Sequence, residues 1–401
     1  MILFKMAFRN IFRHKRRSLF TGLLMAGAYV LFSVSLGVTE GSYSQMIEIY
    51  TRTHTGHIQV HKKGYLDKPS IYDSFKDYMQ TGEKIGKIDE VVSWAPRLYS
   101  PALAFAGNKT TGVRVIGIDP EKESHTTFIK DKLKEGSFLP DRPSGEIMIG
   151  EGLAKIMHAG ILDTIALIGQ ATDGSIANDL FTVAGILEGD DRSSCYMHIN
   201  SAQGFISMGD GAHEIAIILK HHSHAKPVAA DIDKTLGSEG LDVVPWQEIE
   251  KQFYRAMQMD KQGNWITQSI IMLIVAIGIL NTVLMTLLER TREFGILRSV
   301  GTRPYQIFAL ILLETGFLSV FSILFGGILS LFFNYLLSIY GINLPTPIEL
   351  EGLRFESYVS EITMETIFLP AVVTFFVALA VSTVPALRAA RIIPVNALRA
   401  E

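Results

Sequence analysis

Residues 288–304 read Leu-Glu-Arg-Thr-Arg-Glu-Phe-Gly-Ile-Leu-Arg-Ser-Val-Gly-Thr-Arg-Pro, a short and mostly basic stretch. The uncharged residues 265–288 precede it, and the uncharged residues 315–340 follow it. Each flanking segment is long enough to cross the hydrocarbon core of a bilayer, roughly 30 Å, as a helix. The stretch is therefore predicted to be a connection held at one face of a membrane, where it contacts whatever lies in the adjacent water.

The composition of this connection predicts a short helix. Two glycines and the closing Pro304 leave room for few helical turns. Within it, Phe294, Leu297 and Val300 are predicted to form a small apolar knob among the charges. Such a knob would fit a groove on a partner protein, and an ordinary basic loop between two spans is the alternative.

The overall composition favours a membrane protein with a second domain in water. The chain has 401 residues, of which 48% are hydrophobic, and a net charge of −3. This length exceeds that of a usual single domain. Basic residues cluster at predicted membrane edges, so no nucleic-acid partner is expected. The single cysteine, Cys195, cannot form an intrachain disulfide, so cysteine pairing does not indicate the redox character of its compartment.

The N-terminal part is predicted to contain a surface helix followed by a first span. Residues 1–18 combine basic side chains with apolar residues near helical spacing, which predicts a basic amphipathic helix on a membrane surface. Residues 19–56 are predicted to form the first transmembrane helix, through position 38, and an outward stalk. A cleaved signal peptide is the alternative, but its apolar region would be shorter. Because cytoplasmic flanks collect lysine and arginine, we expect a cytoplasmic N-terminus and a middle region on the opposite side.

Residues 57–245 are predicted to form an α+β domain outside the membrane. Short alternating runs separated by turns, such as 102–106 and 113–118, indicate strands. A short helix is expected at 151–158. The domain thus mixes strands and helices between the first two spans.

Histidines in this domain raise the question of a metal site. Alternation at residues 57–61 predicts a strand with one solvated polar face, which carries His57, Gln59 and His61. A second group of histidines lies at residues 213–224. No nearby cysteine completes a ligand set in either group, so no metal site is predicted.

The remaining segments complete a four-span layout. They are predicted to be a second stalk and span at 246–288, the coupling connection at 289–304, a third span at 305–340, an acidic outer loop at 341–365, a fourth span at 366–387 and a cytoplasmic tail at 388–401. The predicted fold is an α-helical membrane protein with four transmembrane helices and a large α+β extracytoplasmic domain between helices 1 and 2.

The third span carries a single charge, Glu314. An acid at the centre of a span costs roughly 2.5–3.5 kcal/mol, so pairing with an arginine of the connection is one hypothesis. Because Glu314 follows Pro304 by about two turns, we instead expect its carboxylate to reach the cytoplasmic interface or to cap a neighbouring group.

These motifs resemble a known family. The order Glu-Arg-Thr-Arg-Glu, Phe-Gly-Ile-Leu-Arg and Val-Gly-Thr between the second and third spans resembles the FtsX-like ABC transporter permeases, the MacB/LolC/LolE or type VII group. The ending Pro-Ala-Leu-Arg-Ala-Ala-Arg-Ile-Ile-Pro-Val-Asn-Ala-Leu-Arg at 385–399 is similar to that family, except that Asn396 stands where an acid is frequent. The middle domain is similar to those of LolC, LolE and MacB, but Gly160 and Asp163 are separated where the family usually has a Gly-Asp pair. In layout the chain resembles the LolC/LolE lipoprotein-releasing permeases.

The resemblance implies the site and the partners. In this family the connection is a coupling helix that docks on a cytoplasmic ATPase, and a second permease copy, identical or related, completes a dimer. The membrane implied is the bacterial cytoplasmic (inner) membrane, crossed several times, with both termini in the cytoplasm. The implied ATPase-coupling residues are Glu289, Arg290, Thr291, Arg292, Glu293, Phe294, Gly295, Ile296, Leu297, Arg298, Val300 and Gly301.

No catalytic chemistry is expected in the chain itself. The sequence contains no Gly-x-x-x-x-Gly-Lys-Ser/Thr phosphate loop, no Gly-x-Ser-x-Gly elbow, no His-Glu-x-x-His helix and no Cys-x-x-Cys pair. We therefore expect a non-enzymatic subunit that binds no cofactor, with ATP and Mg used by the partner ATPase.

The predicted function is mechanotransmission, in which ATP hydrolysis by a separate ATPase moves the extracytoplasmic domain. The resemblance to LolC and LolE implies a lipid or lipoprotein cargo released from the inner membrane. Two alternatives stay open: MacB-like efflux of small molecules or peptides with periplasmic partners, and FtsX-like signalling to a cell-wall hydrolase.

Overall fold

The computed structural model describes residues 2–13, 15–189, 191–237, 240–350 and 353–392. The chain divides into two compact units. The helical unit comprises Met1–Tyr43, Ala256–Leu344 and Ser357–Glu401. The sheet unit comprises Ser44–Arg255 and Pro345–Glu356.

Among the described residues, four helices are long and apolar enough to cross a membrane, which confirms the four predicted spans. They are α2 (Lys15–Tyr50), α9 (Lys251–Glu289), α11 (Pro304–Tyr340) and α12 (Met364–Ala390). Between α9 and α11 lies α10 (Thr291–Ser299). Uninterrupted apolar composition over such lengths is stable as a helix in lipid, because all of its backbone groups bond internally.

The N-terminal helix α1 spans Ile2–Arg13, and α2 begins at Lys15. Two of its aromatic rings pack on one ring of α11. The centroids of Phe4 and Phe8 lie 4.6 and 5.8 Å from that of Phe317. These contacts hold α1 against the third span.

A buried polar network joins α2, α11 and the start of α12 within the helical unit. The Ser33 hydroxyl donates to the Thr366 carbonyl at 2.6 Å, and the Ser330 hydroxyl donates to Ser33 at 2.6 Å. Asn334 accepts a hydrogen bond from the Ser360 hydroxyl at 2.7 Å. Hydrogen bonds of this kind stabilise helix pairs in lipid, where water cannot compete for the same groups.

The sheet unit is built on a ten-stranded mixed sheet. Its strand order is β10-β1-β9-β2-β3-β8-β5-β7-β4, and β6 pairs with β2 and β7. The strands are β1 (Ile58–Lys62), β2 (Val91–Ala106), β3 (Lys109–Ile118), β4 (Leu133–Gly136), β5 (Glu146–Gly150), β6 (Thr164–Gln170), β7 (Ile176–Leu187), β8 (Ser194–His198), β9 (Glu214–Leu219) and β10 (Leu241–Pro245). The helices are α3 (Tyr78–Ile85), α4 (Pro120–Thr126), α5 (Glu151–Met157), α6 (Ile199–Phe205), α7 (Ala225–Leu236) and α8 (Trp246–Ile249). The strands predicted at 102–106 and 113–118 and the helix predicted at 151–158 are confirmed.

The expectation of a solvated polar face on β1 was wrong. His57, Gln59 and His61 are 0%, 4% and 1% exposed. Strand β1 lies between β10 and β9, and both of its faces are covered. Each polar side chain has a partner, which is the condition for burying such groups without a large penalty.

Two further segments show detail that the sequence did not predict. The second stalk does not start as one helix at Trp246, because Glu250 leaves the helical region (φ −103°, ψ 55°) and separates α8 from α9. The acidic outer loop at 341–365 contains a two-stranded hairpin, β11 (Ile342–Leu350) and β12 (Leu353–Tyr358). The part of the family-like C-terminal motif from residue 393 onward lies outside the described residues.

Candidate coupling site

The connection between the second and third spans contains one short helix, as predicted. Helix α9 ends at Glu289, and Arg290 precedes the first residue of α10. After α10 the chain turns at Gly301, whose φ of 99° lies in a region that favours glycine. Helix α11 then starts at Pro304, whose missing N–H costs nothing in the first turn of a helix.

The apolar knob differs from the prediction. Phe294 is fully buried in a cluster of span residues that includes Leu287 and Ile311, and Leu297 packs against that cluster. In contrast, Ile296 is 49% exposed and Val300 is 82% exposed. Phe294 and Leu297 therefore anchor α10 to its own protein and are not available to a partner.

The exposed side of α10 forms a stripe that we call the coupling stripe: Arg292, Ile296, Ser299 and Val300. Residues three and four apart lie on one face of a helix, so these side chains are neighbours. The face combines one positive charge, one hydroxyl and two aliphatic groups. The predicted coupling residues divide into exposed Glu289, Arg292, Ile296, Val300 and Gly301, half-buried Thr291, Glu293, Leu297 and Arg298, and buried Arg290, Phe294 and Gly295.

A partly buried ionic cluster holds the start of α10, and we call it the Arg290 anchor: Arg290, Glu293, Glu314 and Asn10. Arg290 donates from Nη1 to Glu314 Oε2 at 2.8 Å and from Nε to Glu293 Oε2 at 2.9 Å. The other oxygen of Glu314 accepts from Asn10 Nδ2 at 2.5 Å. The anchor therefore joins α1, α10 and α11 through one carboxylate.

This geometry resolves the role of Glu314. The hypothesis that it pairs with an arginine of the connection is confirmed, and its position near the cytoplasmic interface stays a prediction. Its side chain is 16% exposed, and that of Arg290 is 8% exposed. The cluster borders a cavity of about 70 Å³ inside the helical unit.

Two neighbouring carboxylates keep the side chain of Arg290 positively charged. Burial disfavours the guanidinium ion, but the carboxylates of Glu314 and Glu293 outweigh this effect and hold the pKa of Arg290 above its ordinary value. Arg290 therefore stays positively charged. A buried charge needs such partners, because an unpaired one would be costly.

Sequence reasoning missed the contribution of α1 to this site. Asn10 is half-buried on the same helical face as Met6 and the fully buried Ala7. An amide on a packed helix face could have indicated this contribution, because a buried amide needs hydrogen-bond partners. The residue that it meets cannot be read from the sequence, since Glu314 is 304 positions away.

Helices α2 and α9 are bonded to each other within the helical unit. Lys261 forms an ion pair with Glu40 at 2.7 Å, and Gln268 donates to the Ser35 hydroxyl at 2.6 Å. The Tyr43 hydroxyl donates to Asp260. These contacts tie the two helices to each other within the helical unit.

Within the sheet unit, the end of α2 is fixed to the strands. The helix continues as a π-helical turn at Thr51–Thr55. His57 lies 3.0 Å from Glu48 of α2, measured from Nε2 to Oε2. The Tyr50 ring stacks on that of Phe253 at 4.4 Å, and the backbone N–H of Trp246 donates to the His57 carbonyl at 3.0 Å. The first residues of α9 and the last turns of α2 therefore share one junction with β1.

In the part of the chain that the structure describes, no group of three or more His, Cys, Asp or Glu side chains is arranged to hold a metal ion.

Comparisons with known proteins agree with the motifs. Residues 18–235 match the MacB-like periplasmic core domain family, and residues 266–394 match the FtsX-like permease C-terminal family. The lipoprotein-releasing system transmembrane protein LolC of Neisseria meningitidis is 23% identical over 334 residues, which are 78% of this chain and 79% of that protein. LolC of Xylella fastidiosa (strain Temecula1) is 26% identical and covers 78% of each chain.

A second group of relatives carries the name macrolide export ATP-binding/permease protein MacB. The Campylobacter jejuni protein is 23% identical and aligns with 99% of this chain but only 61% of its own length. The two family matches together cover most of α2 and of the sheet unit and all of the coupling site, and residues 236–265 lie between them. The chain therefore belongs to the FtsX-like ABC transporter permeases with a MacB-like periplasmic core domain, the MacB/LolC family.

Proposed function

We propose that this permease works by mechanotransmission, with the coupling stripe as the surface that receives force from a separate cytoplasmic ATPase. The observation that carries the proposal is the division of α10 into two sides. Phe294 and Arg290 hold one side in the helical unit, and Arg292, Ile296 and Val300 stay exposed on the other. A helix held on one side and exposed on the other can take a push without detaching.

The motion would pass along α9. This helix runs without a break from Lys251 to Glu289. ATP and Mg would be used by the partner ATPase, and this chain would bind neither. Closure of two ATPase subunits would bring the α10 helices of two permease copies together, and the periplasmic domains would follow. Both termini would lie in the cytoplasm, because basic residues crowd the start of the chain.

A polar route through the bilayer is not required by this mechanism. The segments 19–38, 265–288, 305–340 and 366–387 carry one ionisable acid or base, Glu314. Polar substrate pathways through membranes are usually lined by more such groups. Glu314 is engaged by Arg290 and Asn10, which supports a mechanical role for it.

The cargo we propose is a lipoprotein or another acylated molecule released from the inner membrane. Support comes from the LolC proteins, which are named for lipoprotein release and align with 78% of this chain and with 78–79% of their own length. The second candidate is efflux of small molecules or peptides, supported by the MacB alignment over 99% of the chain.

The docking proposal is tested by substitutions on the coupling stripe. Arg292→Glu reverses the exposed charge, and Ile296→Asp places a charge where an apolar contact is expected. We expect each variant to insert normally and to lose the ATPase on purification in mild detergent. The matched control is Ile176→Asp, which changes an equally apolar residue that is 78% exposed in the sheet unit and should retain the ATPase. Normal ATPase recovery with both stripe variants would contradict the proposal.

The cargo is tested by identifying what co-purifies from native membranes. An ATPase together with an acylated protein would support lipoprotein release. A periplasmic adaptor with an outer-membrane channel would instead support efflux, and a cell-wall hydrolase would support signalling. Protease digestion of the sheet unit from the cytosolic side would refute the proposed topology.

A further inference from the structure

The sheet unit contains a cavity of about 400 Å³ that the coupling mechanism does not use. It lies where the end of α2 meets the sheet, and Thr55, Gln59, Tyr65, Arg97, Glu214 and Glu250 line it among others. Small-molecule sites have volumes of about 300–1,000 Å³, so the cavity is large enough for a small metabolite.

The floor of this cavity carries a net negative charge. Arg97 donates to Glu123 from Nη2 at 2.7 Å and from Nε at 3.2 Å, and to Glu214 from Nη1 at 3.0 Å. The three residues are 5%, 2% and 4% exposed. One guanidinium thus faces two carboxylates in a water-poor setting, where an excess charge attracts a counterion strongly.

Two lining groups have no protein partner in the described parts of the chain. Tyr65 is 7% exposed, and no donor or acceptor of the described residues meets its hydroxyl. Its ring is fixed between the rings of His61 and His213, at centroid distances of 5.1 and 5.6 Å. The carboxylate of Glu250, likewise, forms no hydrogen bond or ion pair with any described residue. Both groups are available to a ligand.

The cavity wall already accommodates one cation of the chain. The guanidinium carbon of Arg114 lies 5.8 Å from the centre of the Tyr99 ring, and both residues line the cavity. Aromatic faces attract cations in this way. Even with Arg114 included, two guanidinium groups face three carboxylates, those of Glu123, Glu214 and Glu250.

We propose that this cavity binds a small organic cation that carries a primary ammonium group. The ammonium would be received by the Glu250 carboxylate and the Tyr65 hydroxyl. Glu214, whose two oxygens accept from Arg97 and from the Tyr99 hydroxyl, would contribute its negative charge. An ammonium group supplies three donors, which matches a site rich in acceptors. Arg97 does not recruit an anion, because its donors are engaged by two carboxylates.

The proposal is tested by calorimetric titration of the full-length chain in detergent with putrescine. Neutral 1,4-butanediol and anionic succinate, of the same carbon number, are the comparison probes. We expect saturable binding of putrescine and none of the other two. Absence of putrescine binding, or equal binding of butanediol or succinate, would overturn the proposal.

Variants locate the site. Glu250→Gln should weaken putrescine binding roughly tenfold or more, because it removes a charge-assisted contact, and Tyr65→Phe should weaken it roughly fivefold. Glu121→Gln, which changes an exposed carboxylate outside the cavity, is the matched control and should leave the affinity unchanged. Unchanged affinity in both Glu250→Gln and Tyr65→Phe, with unfolding midpoints like that of the wild type, would place binding elsewhere and refute the assignment. Because the probes act on the periplasmic domain, this outcome is independent of ATPase docking.

Discussion

Replacing Glu314 by leucine is the sharpest test of the Arg290 anchor. The substitution removes the carboxylate that receives both Arg290 and Asn10. It leaves a guanidinium that is 8% exposed with Glu293 as its remaining carboxylate partner. We therefore expect Glu314→Leu to destabilise the helical unit and to loosen the attachment of α10.

The size of the effect follows from burial. Removing one partner of a buried ion pair costs about 3–5 kcal/mol. Because Glu293 still pairs with Arg290 and the Glu314 side chain is 16% exposed, we expect the lower end of this range. The same replacement at an exposed acid, Glu365→Leu, should lower the free energy of unfolding by less than about 1 kcal/mol. That is the usual size of a charge effect at a helix N-terminus.

The assay is the free energy of unfolding, measured by SDS titration in mixed micelles. It compares the single variants Arg290→Met and Glu314→Leu with the double variant that carries both substitutions. Removing both charges avoids an unpaired buried ion, so the double variant should be more stable than the sum of the single effects predicts. A coupling energy of at least about 1 kcal/mol is expected. A Glu314→Leu cost no larger than that of Glu365→Leu, or additive single effects, would refute the anchor.

Two further predictions concern the sheet unit. Burial lowers the pKa of His61 and His213, so the unfolded chain takes up protons below about pH 6.5 that the folded domain does not. Thermal unfolding should therefore show stability falling as pH drops below that value, by up to about 1.4 kcal/mol per histidine and pH unit, and a flat profile would contradict this. Gly82→Ala should destabilise the domain by about 1–3 kcal/mol, because the added methyl overlaps the Trp94 ring. Gly204→Ala, in a helix with open space around it, should instead stabilise by about 0.5–1 kcal/mol, and equal effects of both variants would refute the packing argument.

The architecture was largely predictable because its signals are local. Four long apolar segments predict four spans, and the glycines and proline of the connection predict a short helix between two of them. The orientation of α10 was not predictable in the same way. Phe294 and Val300 are both apolar, and only the packing of α10 on the spans decides that the first is buried and the second is 82% exposed.

The burial of polar side chains could not be predicted from the sequence either. The alternation in β1 correctly predicted a strand, but the burial of His57, Gln59 and His61 depends on the elements that cover the sheet. Those elements come from distant parts of the sequence. A polar strand face is typical of a solvated surface, and it is stable inside only when partners such as Glu48 are brought to it.

By itself, the sequence determined the membrane spans, the two-domain layout and the position of the short helix α10 between the second and third spans, because hydropathy, chain length and turn residues act over short segments. Only the tertiary structure decided which groups meet. Asn10 lies on α1, Arg290 directly before α10 and Glu314 on α11, and Arg97 of β2 reaches Glu123 of α4 and Glu214 of β9. Charges far apart in the chain affect one another only after folding brings them within a few ångströms and removes the water between them.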